Sequence, residues 1–211
     1  MITIGDHAVP GTDRVIQEPG AWWAPGDLGT RPRGGYVADR LVGHWTAGHH
    51  RTGPTAGPKV VRAMKSRKRP DGSPMDVGIH FVISWDGLIW QTADLAWGTV
   101  HVGSRPINAR SIGVECAWCG STKQAERLGI EVDPVLGVAR GQRVRAQRPS
   151  DDLLAAWKWL GEALASIDHP AVRIPRKRGG MDRPGVLEHC DVTGTTKVDA
   201  AGLLVGALGW R

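Results

Sequence analysis

A chain of 211 residues that is 41% hydrophobic and 23% charged is long enough for one sizeable core and too short for two comfortable domains with linkers. No apolar run approaches the roughly 20 residues that span a bilayer, so stable membrane insertion is not expected. The formal charge of +6 is gathered in RAMKSRKR (62–69), RGQRVRAQR (140–148) and RIPRKR (173–178). Such clusters favour a polyanion, whether an anionic cell-wall polymer, nucleic acid or a membrane surface, against the plainer reading of a solvated basic face. Cys116, Cys119 and Cys190 allow one bridge at most.

The opening stretch MITIGDHAVPGTDRV lacks a basic start followed by an apolar core, so no secretory signal is expected. Residues 1–36, rich in Gly, Pro and Trp, show no period and read as an arm packed over a domain spanning 37–211. RLVGHWTAG (40–48) reads as a short buried strand with His44 near its C-terminal end. KVVRAMKSR (59–67) carries Val60, Val61 and Met64 at helical spacing. GIHFVISWDGLIWQT (78–92) reads as a hairpin around Trp-Asp-Gly, with Ile79, Phe81 and Ile83 on one face and His80 on the other. ARSIGVECAW (109–118) reads as a strand that turns Ile112, Val114 and Cys116 one way and Gly113 and Glu115 the other.

Residues 120–150 have no strong period and read as an inserted loop region. RPSDDLLAAWKWLGEALASI (148–167) opens on Ser150 as N-cap, with acids in its first turn, and repeats apolar residues at Leu153, Leu154, Trp157, Leu160, Leu164 and Ile167. GVLEHCDV follows as a short strand, and a helix beginning near Asp199 closes the chain. Strands alternating with helices predict an α/β layered single domain.

A catalytic zinc commonly takes three ligands from His, Asp, Glu and Cys and leaves a position for water. His44, His80, His101 and His189 fall in or beside predicted strands, whereas His7, His49, His50 and His169 fall in loops or at a helix end. A lone histidine is more often structural than a ligand, so only a constellation carries weight.

LVGHWTAG, GIHFVISWDGLIWQ, HVGSRPINARSIGVE and HCDVTGTTKVD follow one another in an order and spacing that resembles the zinc N-acetylmuramoyl-L-alanine amidases, the superfamily that includes phage lysozyme-type amidases and peptidoglycan recognition proteins. The resemblance covers about residues 40–204. It implies a central mixed β-sheet flanked by α-helices, an open zinc cleft, and hydrolysis of the amide between N-acetylmuramic acid and L-alanine in peptidoglycan. It also implies His44, His189 and Asp199 as zinc ligands, Glu115 as the catalytic carboxylate and Lys197 as the cation that steadies the oxyanion. His80 and His101 match positions that often line the family's cleft, which implies substrate contact or ligand orientation; a hydrogen-bonded core histidine is the equal alternative for each. Many phage-type members carry a tyrosine where Ile79 stands, so the burden falls on Glu115.

The CAWC pair with His189 and Cys190 is the rival metal set; adjacent strand residues point to opposite faces, so Cys190 is expected to turn into the core as His189 faces the cleft. Three rival functions stand beside the enzyme: a non-catalytic peptidoglycan-binding module, a cytosolic muropeptide-recycling amidase, and nucleic-acid binding, the last without interleaved aromatics or motif. The reading preferred is a monomeric lytic enzyme such as a phage endolysin, made in the host cytoplasm and acting on the wall after release.

Overall fold

The computed structural model describes residues 1–46, 48, 51–119, 122–132, 137–139, 142–192 and 203–210. In chain order they form β1 (Ile2–Ile4), β2 (His7–Val9), β3 (Val15–Gln17), a 3-10 turn at Pro19–Ala21, β4 (Thr30–Pro32), β5 (Arg40–Trp45) and α1 (Ala56–Lys65). Then come β6 (Phe81–Ile83), β7 (Ile89–Gln91), β8 (Trp97–Thr99), α2 (Arg105–Arg110), β9 (Ser111–Cys116) and α3 (Thr122–Arg127). The chain continues through β10 (Gly137–Ala139), β11 (Gln142–Val144), α4 (Asp151–Ala165), β12 (Gly185–Glu188), α5 (His189–Val192) and α6 (Leu203–Leu208).

The central sheet has six strands in the order β12-β5-β9-β6-β7-β3. β12, β5, β9 and β6 run parallel, β7 returns antiparallel to β6, and β3 lies parallel to β7. Parallel strands buried on both faces read as near-continuous apolar runs, and β5 and β9 are buried along their whole length. One face carries Leu41, Trp45, Ile112, Val114, Cys116, Phe81 and Ile83 into the main core, where α4 and α6 supply Leu153, Trp157, Leu160 and Leu204. The other face carries Val82 and Trp90 against Val60, Val61 and Met64 of α1. The protein is therefore an α/β sandwich around a mixed sheet, as expected. Ser150 caps α4 by accepting from the Leu153 amide at 3.2 Å.

The N-terminal segment does more than pack over the domain. β3 adds the last strand of the central sheet, β4 pairs antiparallel with β8, and Ile2, Ile4 and Val15 enter the main core. Strands of three residues cannot display a period, so nothing local marks them. The 120–150 region likewise contains α3 and the β10–β11 hairpin, with Val144 and Ala146 reaching the main core. Ile79 also departs from expectation. Its strand begins only at Phe81, so Ile79 packs in the α1-side cluster rather than beside Phe81 and Ile83.

α1 sits tight on the sheet because Gly57 has no side chain: a Cβ there would stand 2.3 Å from Cδ2 of the fully buried Trp90. Gly57→Ala improves helix propensity by up to about 1 kcal/mol, yet overpacking a closed core costs about 1–3 kcal/mol. The clash falls on backbone-near ring atoms of a fully buried Trp90, so it outweighs the gain. Urea unfolding is expected to show a net loss of stability; an unchanged or raised midpoint would contradict this packing.

β5 passes through α1 to β6 on one side, whereas β9 passes through α4 to β12 on the other. Connections that leave in opposite directions open a crevice at the carboxyl ends of the strands between them. By that rule the crevice is expected between β5 and β9.

Candidate active site

The apolar run of β5 carries its fifth residue, His44, to the carboxyl edge of the sheet as a buried side chain. Parallel register sets His44 directly opposite Glu115 on β9. Because faces alternate along each strand, both side chains lie on the face opposite Cys116 and the main core. Glu115 is buried as well. β12 ends at Glu188, opposite Gly43 of β5, and the chain turns at once into α5. This turn seats His189 beside His44, with Nδ1 to Nδ1 at 3.0 Å and ring centroids 4.6 Å apart.

The other nitrogen of His44, Nε2, lies 2.9 Å from His101 Nδ1, and His101 Nε2 lies 2.9 Å from Ser111 Oγ. Burial pushes the basicity of His101 well below the usual histidine range, and the nearby His80, His189 and Arg33 push it the same way. The His101 ring rests against bare backbone, since a Cβ on Gly113 would stand 2.8 Å from the ring's Cγ and Nδ1.

His80 is 0% exposed. Its Nδ1 accepts from the Gly113 amide at 3.0 Å, its Nε2–H donates to the Trp97 carbonyl at 2.8 Å, and Thr99 Oγ1 lies 3.0 Å from Nδ1. Burial, reinforced by the Arg33 guanidinium and opposed by the Trp97 carbonyl, pushes its pKa down to about 3. The expectation of substrate contact for His80 gives way to the alternative, a hydrogen-bonded core histidine, because no ring surface is left for a ligand. Lys197 and Asp199 lie outside the described residues, as do His49 and His50.

The cysteines are free thiols. Cys116 and Cys190 sit in the main core, on the far side of the sheet from His44 and Glu115. Cys190 therefore turns away from the crevice, although it does so within α5 rather than on a strand. Burial pushes the Cys116 thiol well up, with the Glu115 and Glu188 carboxylates adding to it.

Three residues that sequence reading passed over hold this region together. Arg33 is buried and donates to the carbonyls of Leu95 at 2.8 Å, Ala109 at 2.8 Å and Ser111 at 3.2 Å. Burial lowers its pKa to about 10 against the pull of Asp94. Asn108 Oδ1 accepts from the amides of His101 and Val102, each at 3.1 Å. Glu188, 1% exposed, accepts from the Val205 amide at 3.0 Å and so ties α6 to β12. Only Glu188 left a sequence signal, a carboxylate ending an apolar strand.

Among the described residues no three His, Cys, Asp or Glu side chains gather into a metal-holding group. What they offer is a pair of imidazoles. Two nitrogens that both bind tetrahedral zinc at about 2.0–2.1 Å stand ~3.3 Å apart, so the 3.0 Å Nδ1 pair fits after a shift of a few tenths of an ångström, with a buried carboxylate alongside.

The family model described as N-acetylmuramoyl-L-alanine amidase matches residues 34–201. No curated protein sequence matches the chain. Solved structures do share its fold. The endolysine N-acetylmuramoyl-L-alanine amidase LysCS from Clostridium intestinale superposes with a TM-score of 0.52 at 13% identity, covering 93% of this chain and 96% of that one. The ectodomain of the Drosophila transmembrane receptor PGRP-LCa gives 0.59 at 12%, covering 93% and 98%. Peptidoglycan recognition protein-LE, solved with a monomeric diaminopimelic acid-type peptidoglycan, gives 0.57 at 15%, covering 94% of each chain.

Proposed function

The chain belongs to the N-acetylmuramoyl-L-alanine amidase family, and from that membership we propose that it hydrolyses the amide between N-acetylmuramic acid and L-alanine in peptidoglycan, with zinc as cofactor. The observation that carries the reading is the pair of imidazoles 3.0 Å apart at the sheet's crevice, with the Glu115 carboxylate directly across from one of them. His44 and His189 would hold the metal, and Asp199 is proposed as the third ligand.

When bound there, zinc supplies Lewis acidity, which polarises the scissile carbonyl and makes a water acidic enough to attack at neutral pH. The protein's own groups do the rest. Glu115 accepts the proton of the attacking water and returns it to the departing alanine nitrogen, so that the amine leaves neutral. Lys197 is proposed to face the oxyanion as charge develops on it. Ile79, fully buried in the α1-side cluster, brings no hydroxyl to share the proton work. The net charge of +6 favours an anionic wall and supports a lytic role on intact peptidoglycan.

Incubating the purified protein with intact sacculi is expected to release free N-terminal alanine, with close to one zinc per chain by atomic spectroscopy. Zinc without release would leave a binding module, as the likeness to recognition proteins would allow. Release from soluble muropeptides alone would reassign the enzyme to recycling.

A further inference from the structure

Ser111, the first residue of β9, fixes the direction of the hydrogen bonds that reach His44. Its hydroxyl oxygen lies 2.7 Å from the Ile107 carbonyl oxygen. Two oxygens that close need a proton between them, and a carbonyl has none to give. Ser111 therefore donates to Ile107 and offers His101 Nε2, 2.9 Å away, only a lone pair. No carboxylate stands among the described partners of His101 to hold a second proton on its ring, and an imidazole that carries its one proton on Nε2 accepts at Nδ1. His101 Nδ1 faces His44 Nε2 at 2.9 Å, so His44 donates there and carries its own lone pair on Nδ1, the atom turned toward His189 Nδ1.

We propose that His101 and Ser111 form a positioning relay that locks His44 in its Nε2–H tautomer and so presents the His44 Nδ1 lone pair to the metal. His101 then serves the metal end of the site rather than the substrate. The device is built, not incidental. Asn108 pins the backbone of His101 and Val102 through two hydrogen bonds at 3.1 Å, and it sits on α2, the same helix that supplies the Ile107 acceptor. Gly113 leaves the space that the ring occupies, since a Cβ would meet it at 2.8 Å. A ligating histidine commonly passes its other N–H to a fixed acceptor, and losing that acceptor costs about 10–100-fold in metal affinity. Here the fixed acceptor is a second imidazole, itself oriented by a serine.

The metal part rests on the reading of His44 as a zinc ligand; the tautomer does not. The test therefore has two readouts on the full chain. Long-range proton–nitrogen NMR correlations on metal-free protein give the His44 tautomer, and competition with a chromophoric chelator gives zinc affinity for wild type, His101→Leu, His101→Asn and Ser111→Ala, with thermal unfolding as the folding control. Wild-type His44 is expected as Nε2–H. His101→Leu should weaken zinc binding by about 10–100-fold, Ser111→Ala by less, and His101→Asn should recover most of the loss because its Oδ1 replaces the Nδ1 acceptor. A His44 that carries its proton on Nδ1 overturns the relay, as does a folded His101→Leu that binds zinc like wild type. If His101→Leu does not fold, the wild-type tautomer and Ser111→Ala still decide. A wild-type protein that takes up no zinc sinks the metal reading above, while the His44 tautomer continues to judge the relay separately.

Discussion

Glu115→Gln is expected to lower kcat for muropeptide amide hydrolysis by about 10²–10⁴-fold while leaving zinc content and thermal unfolding near wild type. The substitution keeps the shape of the side chain on a strand that is buried throughout, so the core is not disturbed. On the proposed mechanism it removes the capacity to hold a proton between the attack of water and the departure of the alanine nitrogen. Glu115 faces His44 across the β5–β9 ladder, and among the described groups of the crevice the others are imidazoles. His101, 2.9 Å from His44, is already engaged at both nitrogens. A loss of less than tenfold, measured by chromatography of a defined muropeptide, would move the proton work elsewhere. A loss of zinc together with activity would instead make Glu115 part of the metal's own shell.

How much of this was legible in the residues depended on whether a signal was local. RLVGHW and SIGVEC read as strands because both faces are buried and the apolar run is continuous, and the helix at 151–165 announced its period, its Ser150 cap and its acidic first turn. The pairing of His44 with Glu115 follows from two such strands becoming neighbours. β3 and β4 were invisible, since three residues stabilised by a ladder on one side look like any loop. So was the depth of His80: alternation around GIHFVIS assigned it a face, but that face is sealed by Arg33, Thr99 and Trp97, which come from two other segments. The relay through His101 and Ser111 joins residues ten apart across α2, and the proton direction depends on a carbonyl, which no residue identity encodes. Strand alternation predicts Cys190 in the core, where it lies, but the strand ends at Glu188, and it is the turn into α5 that sends His189 and Cys190 to opposite sides.

That separation sets up the second large effect. Asp199→Ala is expected to abolish detectable hydrolysis and to weaken zinc binding by more than the 10–100-fold typical of an outer partner, whereas Cys190→Ala should keep both zinc and activity. Two neutral imidazoles leave the full double charge of the ion uncompensated inside a crevice lined by buried groups, and a carboxylate is the ligand that offsets it. In the proposed ligand set Cys190 has no such role. Its sulfur lies among main-core side chains, 3.8 Å from Glu188 Oε2, so its truncation should appear as a lowered unfolding midpoint, the mark of a small cavity, with metal content unchanged. Measuring zinc by atomic spectroscopy and amide cleavage on the same two preparations separates the possibilities. Zinc lost from Cys190→Ala and retained by Asp199→Ala would move the third ligand to the thiol, and with it the face of the sheet on which the reaction takes place.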